Sequence, residues 1–160
     1  GMRYVEGLKS VEGGYNRTGS RSPMQWDDST NAGFSSAPAS DLYIAMDPDK
    51  DRPTAKKEMA APDSLYHEVK KLIRIRQSHK ALQSRGKITF VYAEKNAYPL
   101  AYIREDGDEK ILVIINAAAE AKTFACDAEP KEAIYNFGAA AEAKNGKITV
   151  PAQSAGFYRI

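Results

Sequence analysis

At 160 residues the chain is the size of one ordinary domain, or of a small domain with an arm. Its hydrophobic share of 42% and charged share of 28% exclude wholesale disorder, and a net charge of +2 excludes a polyphosphate-binding surface, so no nucleic-acid partner is expected. The strongest apolar run, residues 111–115, falls far short of the roughly 20 residues that cross a bilayer, so no membrane partner is expected either. Cys126 is the only cysteine, which leaves no internal disulfide and no cysteine metal cluster. Met2 is followed by Arg3, Tyr4 and Val5 without an apolar signal region. These features fit a cytoplasmic protein, and equally a chain cut from a longer precursor.

Residues 1–62 carry little periodicity and much Gly, Pro, Ser, Asp and Ala. A structureless stretch this long does not belong inside a free-standing compact domain. Tyr4, Tyr15, Trp26, Phe34 and Tyr43 argue against a disordered tail, so the segment reads as a long functional loop. Residues 63–86 hold an amphipathic helix. Asp63 or Ser64 can cap it, and Leu65, Val69, Leu72, Ile73 and Arg76 follow helical spacing on one face. Lys70, Lys71, Arg74 and Gln77 face the other way as a solvated surface, and Gly86 offers a turn.

Residues 87–160 become short strands, expected at 88–92, 100–104, 110–116, 123–126, 133–136, 147–150 and 156–160. Asp106-Gly107 and Asn145-Gly146 are hairpin signals, because glycine accepts the positive φ of tight turns. The Ala-rich run 137–146 reads as a loop. Frequent turns and no intervening helix predict an antiparallel sandwich or barrel.

The chemistry concentrates in "RSPMQWDDSTNAGF", residues 21–34. Trp26 and Phe34 supply flat apolar faces, while Arg21, Gln25 and Asn31 supply forked hydrogen-bonding groups. Sugars require that combination, since their C–H faces stack on rings and their vicinal hydroxyls bind paired donors. Read locally, the same rings can equally anchor the loop to its own core.

That string resembles the segment after the eighth barrel strand in glycoside hydrolase family 13, the α-amylase superfamily. It is most similar to the α-glucosidase, oligo-1,6-glucosidase and trehalose synthase branches, with Ser22 in place of their threonine. The opening "GMRYVEGL" is similar to the family's residues just after that strand, and "LYHEVKKLIRIRQSHKAL" resembles its barrel-closing helix. The resemblance implies a mainly β chain. Residues 1–62 would be an irregular arm, 63–86 the one amphipathic helix closing a (β/α)8 barrel, and 87–160 a C-terminal antiparallel β-sandwich of the domain C type.

In that family a retaining glycosidase or transglycosylase reaction uses three carboxylates, all on strands that would precede Gly1. The resemblance therefore implies no catalytic residue in this chain, no cofactor and no metal site. Asp27, Asp28, Asp47, Asp49, Asp51, Glu6 and Glu12 are expected to be solvated loop charges. Arg21 falls on the family's substrate-binding arginine, whose planar fork lysine does not replace. Pro23, Gln25, Trp26, Asn31 and Phe34 are expected to shape the loop and pocket wall. The implied partners are an α-glucosidic oligosaccharide, a missing N-terminal barrel and, through the exposed helix face, a second copy of the chain. A separately encoded barrel half is a further option. The alternative is a free-standing carbohydrate-binding or interaction module, which needs an exposed row of aromatics such as Tyr92, Tyr98, Tyr102 or Tyr158. His67-Glu68 lacks the second histidine of a zinc motif. His79 is expected to meet the helix's terminal carbonyls, and Cys126 to be buried and inert.

Overall fold

The structure, a computed structural model, describes residues 21–160. The expectations for Tyr4, Glu6, Glu12, Tyr15 and the opening segment lie outside the described residues. The chain divides between Lys71 and Leu72 into two compact units.

In the first unit the arm contains 3-10 turns at Thr30–Gly33 and Ala39–Asp41 and, against the expectation of an irregular arm with one helix beyond it, the helix α1, Ala55–Ala60. Six residues cannot sustain a helix in water alone. This one persists because its first amides are all taken up. Ala55 N donates to Gln25 O at 2.8 Å, Lys56 N to Trp26 O at 2.9 Å, and Lys57 N to the capping Thr54 Oγ1 at 3.2 Å.

The second helix, α2, spans Leu65–Ser78. Ser64 precedes it, but its hydroxyl donates back to Glu58 O instead of accepting from the first turn. The helix stops short of the expected end. His79 takes an extended backbone (φ −121°, ψ 116°), and the chain rewinds as a 3-10 turn, Lys80–Leu82. Arg76 Nε and Gln83 Nε2 bridge the break, to Leu82 O and Gln77 O respectively. Along the apolar stripe Leu65 is 74% exposed and Val69 and Ile73 are exposed as well, whereas Leu72 is half-buried. Among the described residues no helix is long and apolar enough to cross a membrane.

The second unit is mainly strand, in two antiparallel sheets. β1 (Lys87–Tyr92), β2 (Leu100–Asp106) and β3 (Glu109–Asn116) form a meander. β4 (Lys122–Ala125) leaves for the smaller sheet and β5 (Glu132–Phe137) returns to the far edge of the larger. β6 (Glu142–Lys144) and β7 (Lys147–Val150) form a hairpin, and β8 (Ser154–Arg159) inserts between β3 and β5. The sheet orders are β1-β2-β3-β8-β5 and β4-β7-β6. β6 lies inside the Ala-rich stretch expected to be a loop. It is an exposed three-residue edge strand whose pairing comes from β7, so its own composition carries no strand signal. At the β6–β7 tip Asn145 (φ 52°) and Gly146 (φ 69°) are both left-handed, as a type I′ turn requires.

The core gathers on both faces of β3. Leu112 and Ile114 join Ala101, Tyr158, Phe124, Cys126, Ile148 and Val150, which bring side chains of the two sheets together. Ile111 and Val113 point to the opposite face and are covered by Ala81 of the 3-10 turn. A continuous apolar run is what a strand buried on both faces needs. Asn116 ends that run. It is 1% exposed, with Nδ2 donating to Glu120 O, Val150 O and Pro151 O at 3.0, 3.2 and 2.8 Å and Oδ1 accepting from Ala118 N at 3.1 Å.

Candidate functional site

The loop of residues 21–37 is built around three successive left-handed residues, Asn31 (φ 50°), Ala32 (φ 53°) and Gly33 (φ 72°). Outside glycine this conformation costs roughly 1–2 kcal/mol per residue. Surrounding bonds hold it in place. Trp26 N and Asp27 N both donate to Ala32 O, at 2.8 and 3.2 Å, and Ala32 is fully buried. Asn31 Nδ2 donates to Ser35 O and Ala37 O at 2.9 and 2.7 Å. Glycine suits position 33, since φ is 72° and a Cβ there would sit 2.9 Å from Asp27 Oδ1. The Asp27 carboxylate accepts from Ser29 Oγ and, at 2.8 Å, from Ser29 N. The Ser29 hydroxyl and then its amide hold that carboxyl below its ordinary value of 3.8. They outweigh a small upward push from burial, and Lys56 adds to them.

This scaffold leaves the Trp26 and Phe34 rings about half exposed. Pro23 is buried, Gln25 and Asn31 are half-buried, and Arg21 is exposed at the first described position. The loop thus brings Pro23, Gln25, Trp26, Asn31 and Phe34 onto one clasped segment, with Arg21 at its edge. Among the described residues, Gln25 Oε1 is buried and finds no hydrogen-bond partner. Trp26, Asp27, Ala55, Lys56, Met59 and Ala60 line an open hollow beside the loop. An exposed indole face next to an ammonium and a carboxylate is a surface on which a polyhydroxylated ring can rest. Sequence reasoning missed α1, which forms one wall of that hollow. Its available signal was Thr54, a capping residue ahead of the good helix formers Ala55–Ala60.

Of the acids expected as loop charges, the carboxylates of Asp27, Asp28, Asp47 and Asp49 are engaged locally. Asp28 pairs with Lys57 at 3.0 Å, Asp47 Oδ1 accepts from Asp49 N, and Asp49 Oδ1 accepts from Asp51 N. His67 Nε2 lies 3.0 Å from Met59 O. His79 does not meet the α2 carbonyls as expected. Its Nδ1 lies 2.6 Å from Glu109 Oε1 on β3, a partner 30 residues away. Tyr158 is buried, with its hydroxyl donating to Asn136 Oδ1 and accepting from Ala141 N. Tyr92 and Tyr102 are half-buried, so of the four tyrosines only Tyr98 is exposed and they make no open row. Cys126 is buried in the core.

The family model for the alpha amylase catalytic domain matches residues 4–85, just over half of the chain. The chain belongs to the α-amylase family. This α-amylase-family chain is 30% identical over 135 residues to a glucan 1,6-alpha-glucosidase of Streptococcus pneumoniae, which takes in 84% of the chain and 24% of that relative. It is 34% identical over 108 residues to an oligo-1,6-glucosidase of Parageobacillus thermoglucosidasius, 68% of the chain and 18% of the relative. Among solved structures, the trehalulose synthase MutB from Pseudomonas mesoacidophila superposes with a TM-score of 0.74 at 30% identity, over 89% of this chain and 26% of that one. A mutant of MutB in complex with the substrate sucrose superposes equally well, at 31% identity. The chain therefore spans between about a fifth and a quarter of the length of these relatives.

Proposed function

We propose that the chain is the C-terminal part of a retaining glycosidase of the α-glucosidase type, acting on α-glucosidic oligosaccharides in the cytoplasm. On this reading residues 1–62 form a pocket-wall arm, 63–86 the helix that closes the barrel, and 87–160 a domain C sandwich. The carboxylates that break the bond would lie on a barrel preceding Gly1, so the isolated chain is inactive. Arg21 binds the non-reducing glucose through its planar fork. Pro23, Gln25, Trp26, Asn31 and Phe34 fix the wall against which that sugar sits. The stripe of Leu65, Val69, Leu72 and Ile73, in which all but Leu72 are exposed, packs on the barrel, or on a second copy where the barrel is absent.

The observation that carries this reading is the clasped left-handed loop, which holds two aromatic faces open beside a hollow. The experiment compares the 160-residue chain with the product of the reading frame extended upstream. The expected result is silent titration with maltose and isomaltose for the chain alone. The extended protein should hydrolyse isomaltose, with a large loss in Arg21→Lys. Measurable sugar binding by the isolated chain would instead favour a free-standing carbohydrate-binding module. An upstream frame that encodes no barrel would overturn the proposal.

A further inference from the structure

A cluster of side chains outside the loop closes over the 3-10 turn Lys80–Leu82. Glu109 Oε2 accepts from Ala81 N at 2.9 Å, and Oε1 faces His79 Nδ1. A carboxylate only accepts, so His79 carries its proton on Nδ1. From β2, Arg104 Nε donates to Ala81 O at 3.0 Å and its Nη2 to Gln83 O. Both polar groups of one residue, Ala81 N–H and C=O, are thus gripped by two different strands. Gly86 passes against the same spot, where a Cβ would lie 2.2 Å from Ala81 O and 3.0 Å from Arg104 Nη2. Beneath the turn, fully buried Ala81 covers Ile111 and Val113.

We propose that Glu109, with His79 and Arg104, is a carboxylate latch. It holds the segment 79–82 on the sheet and lets that segment open locally when the carboxylate is neutralised. The latch is independent of any glycosidase role. The sheet owes its order to backbone ladders that Glu109 does not join through its side chain, whereas the segment 79–82 has no ladder of its own. The charged groups around Glu109 are His79 at hydrogen-bond distance, the cross-strand Asp106 from β2, and Lys80, Asp108, Lys110 and Arg159, which line the same hollow; Arg104 reaches the turn through Ala81 O and Gln83 O instead. Lys110 pairs with Glu105 at 3.0 Å and Arg159 with Glu132 at 3.1 Å, while His79 is the side chain at hydrogen-bond distance from the Glu109 carboxylate. Burial pushes the Glu109 carboxyl up, but the Ala81 amide, the His79 hydrogen bond and the charges of His79 and Arg159 together hold it below its ordinary 4.5. The latch is therefore closed above that value and opens as the pH falls through the lowered one. Because α2 runs directly into His79, opening also frees the end of that helix.

The test is amide hydrogen exchange by NMR on the 160-residue chain, corrected for intrinsic rates, with Ala81 read against Leu112. In Glu109→Gln at pH 7, Ala81 should exchange about tenfold faster or more while Leu112 stays protected, a ratio equal to about 1.4 kcal/mol. Asp108→Asn, which removes a neighbouring charge outside the latch, should change neither. In the wild type the Ala81 amide shift should titrate with a midpoint below 4.5, and that titration decides if Glu109→Gln does not fold. Unchanged Ala81 protection in Glu109→Gln overturns the proposal. So does loss of protection at Ala81 and Leu112 together, or a wild-type Ala81 amide that fails to titrate.

Discussion

Replacing Asn116 with alanine should be among the most damaging single changes in the strand-rich unit. The side chain is almost fully buried and satisfies four backbone groups, the carbonyls of Glu120, Val150 and Pro151 and the amide of Ala118. Each bond is worth about 0.5–1.5 kcal/mol net, and buried groups left unpaired cost more. The sum is about 3–4 kcal/mol, a large part of a typical stability of about 5–15 kcal/mol. For a chain of this size that lowers Tm by roughly 10 °C. Asn116→Asp keeps the acceptor for Ala118 but turns a carboxylate toward three carbonyls. It should be at least as destabilising at pH 7 and recover as acid restores an O–H donor. Urea unfolding followed by far-UV circular dichroism measures both. A loss below about 1 kcal/mol for Asn116→Ala, or an Asn116→Asp variant as stable as the wild type at pH 7, would refute this account of the side chain.

Trp26 is the only tryptophan, so its emission reports on the loop alone. Gly33→Ala should shift that emission and destabilise the loop by about 1–2 kcal/mol, because φ is 72° and the new Cβ meets Asp27. The lowered Asp27 carboxyl stabilises the loop above its ordinary 3.8 and ceases to do so as pH falls through the lowered value, so the emission should titrate with a midpoint below 3.8. A midpoint at or above 3.8 contradicts this. Gly156→Ala places a Cβ 2.4 Å from the Tyr158 ring and should cost about 2–3 kcal/mol. In a Tyr158→Ala background most of that cost should vanish, and a double-mutant cycle showing simple additivity would count against the clash. Thr54→Ala should cost about 1 kcal/mol, seen as faster exchange of the Lys57 amide. Unchanged exchange there would mean the cap is idle.

The features that local chemistry controls were legible in the sequence. Asn145-Gly146 announced its turn, and residues 111–115 announced a strand. Features stabilised from a distance were not. α1 depends on carbonyls of Gln25 and Trp26, far earlier in the chain, and β6 depends on its neighbour's ladder. His79 looked like a helix-end residue because its partner, Glu109, is likewise remote in sequence. In the candidate site the string of residues was visible, but its three left-handed positions were not. Ala32 is among them, and nothing in an alanine signals positive φ.

In most sheets, alternation of oily and polar side chains punishes a slipped strand, since sliding by one position turns its water-facing side inward. β3 lacks that safeguard, because it is oily to left and right alike. Its alignment is set instead by the tight turn at Gly107 that fixes its pairing with β2 and, at the far end, by the bonds of Asn116. Displace the strand by a single step and Asn116 would abandon three carbonyls and an amide at once, so the polar end does the proofreading that the hydrophobic middle cannot.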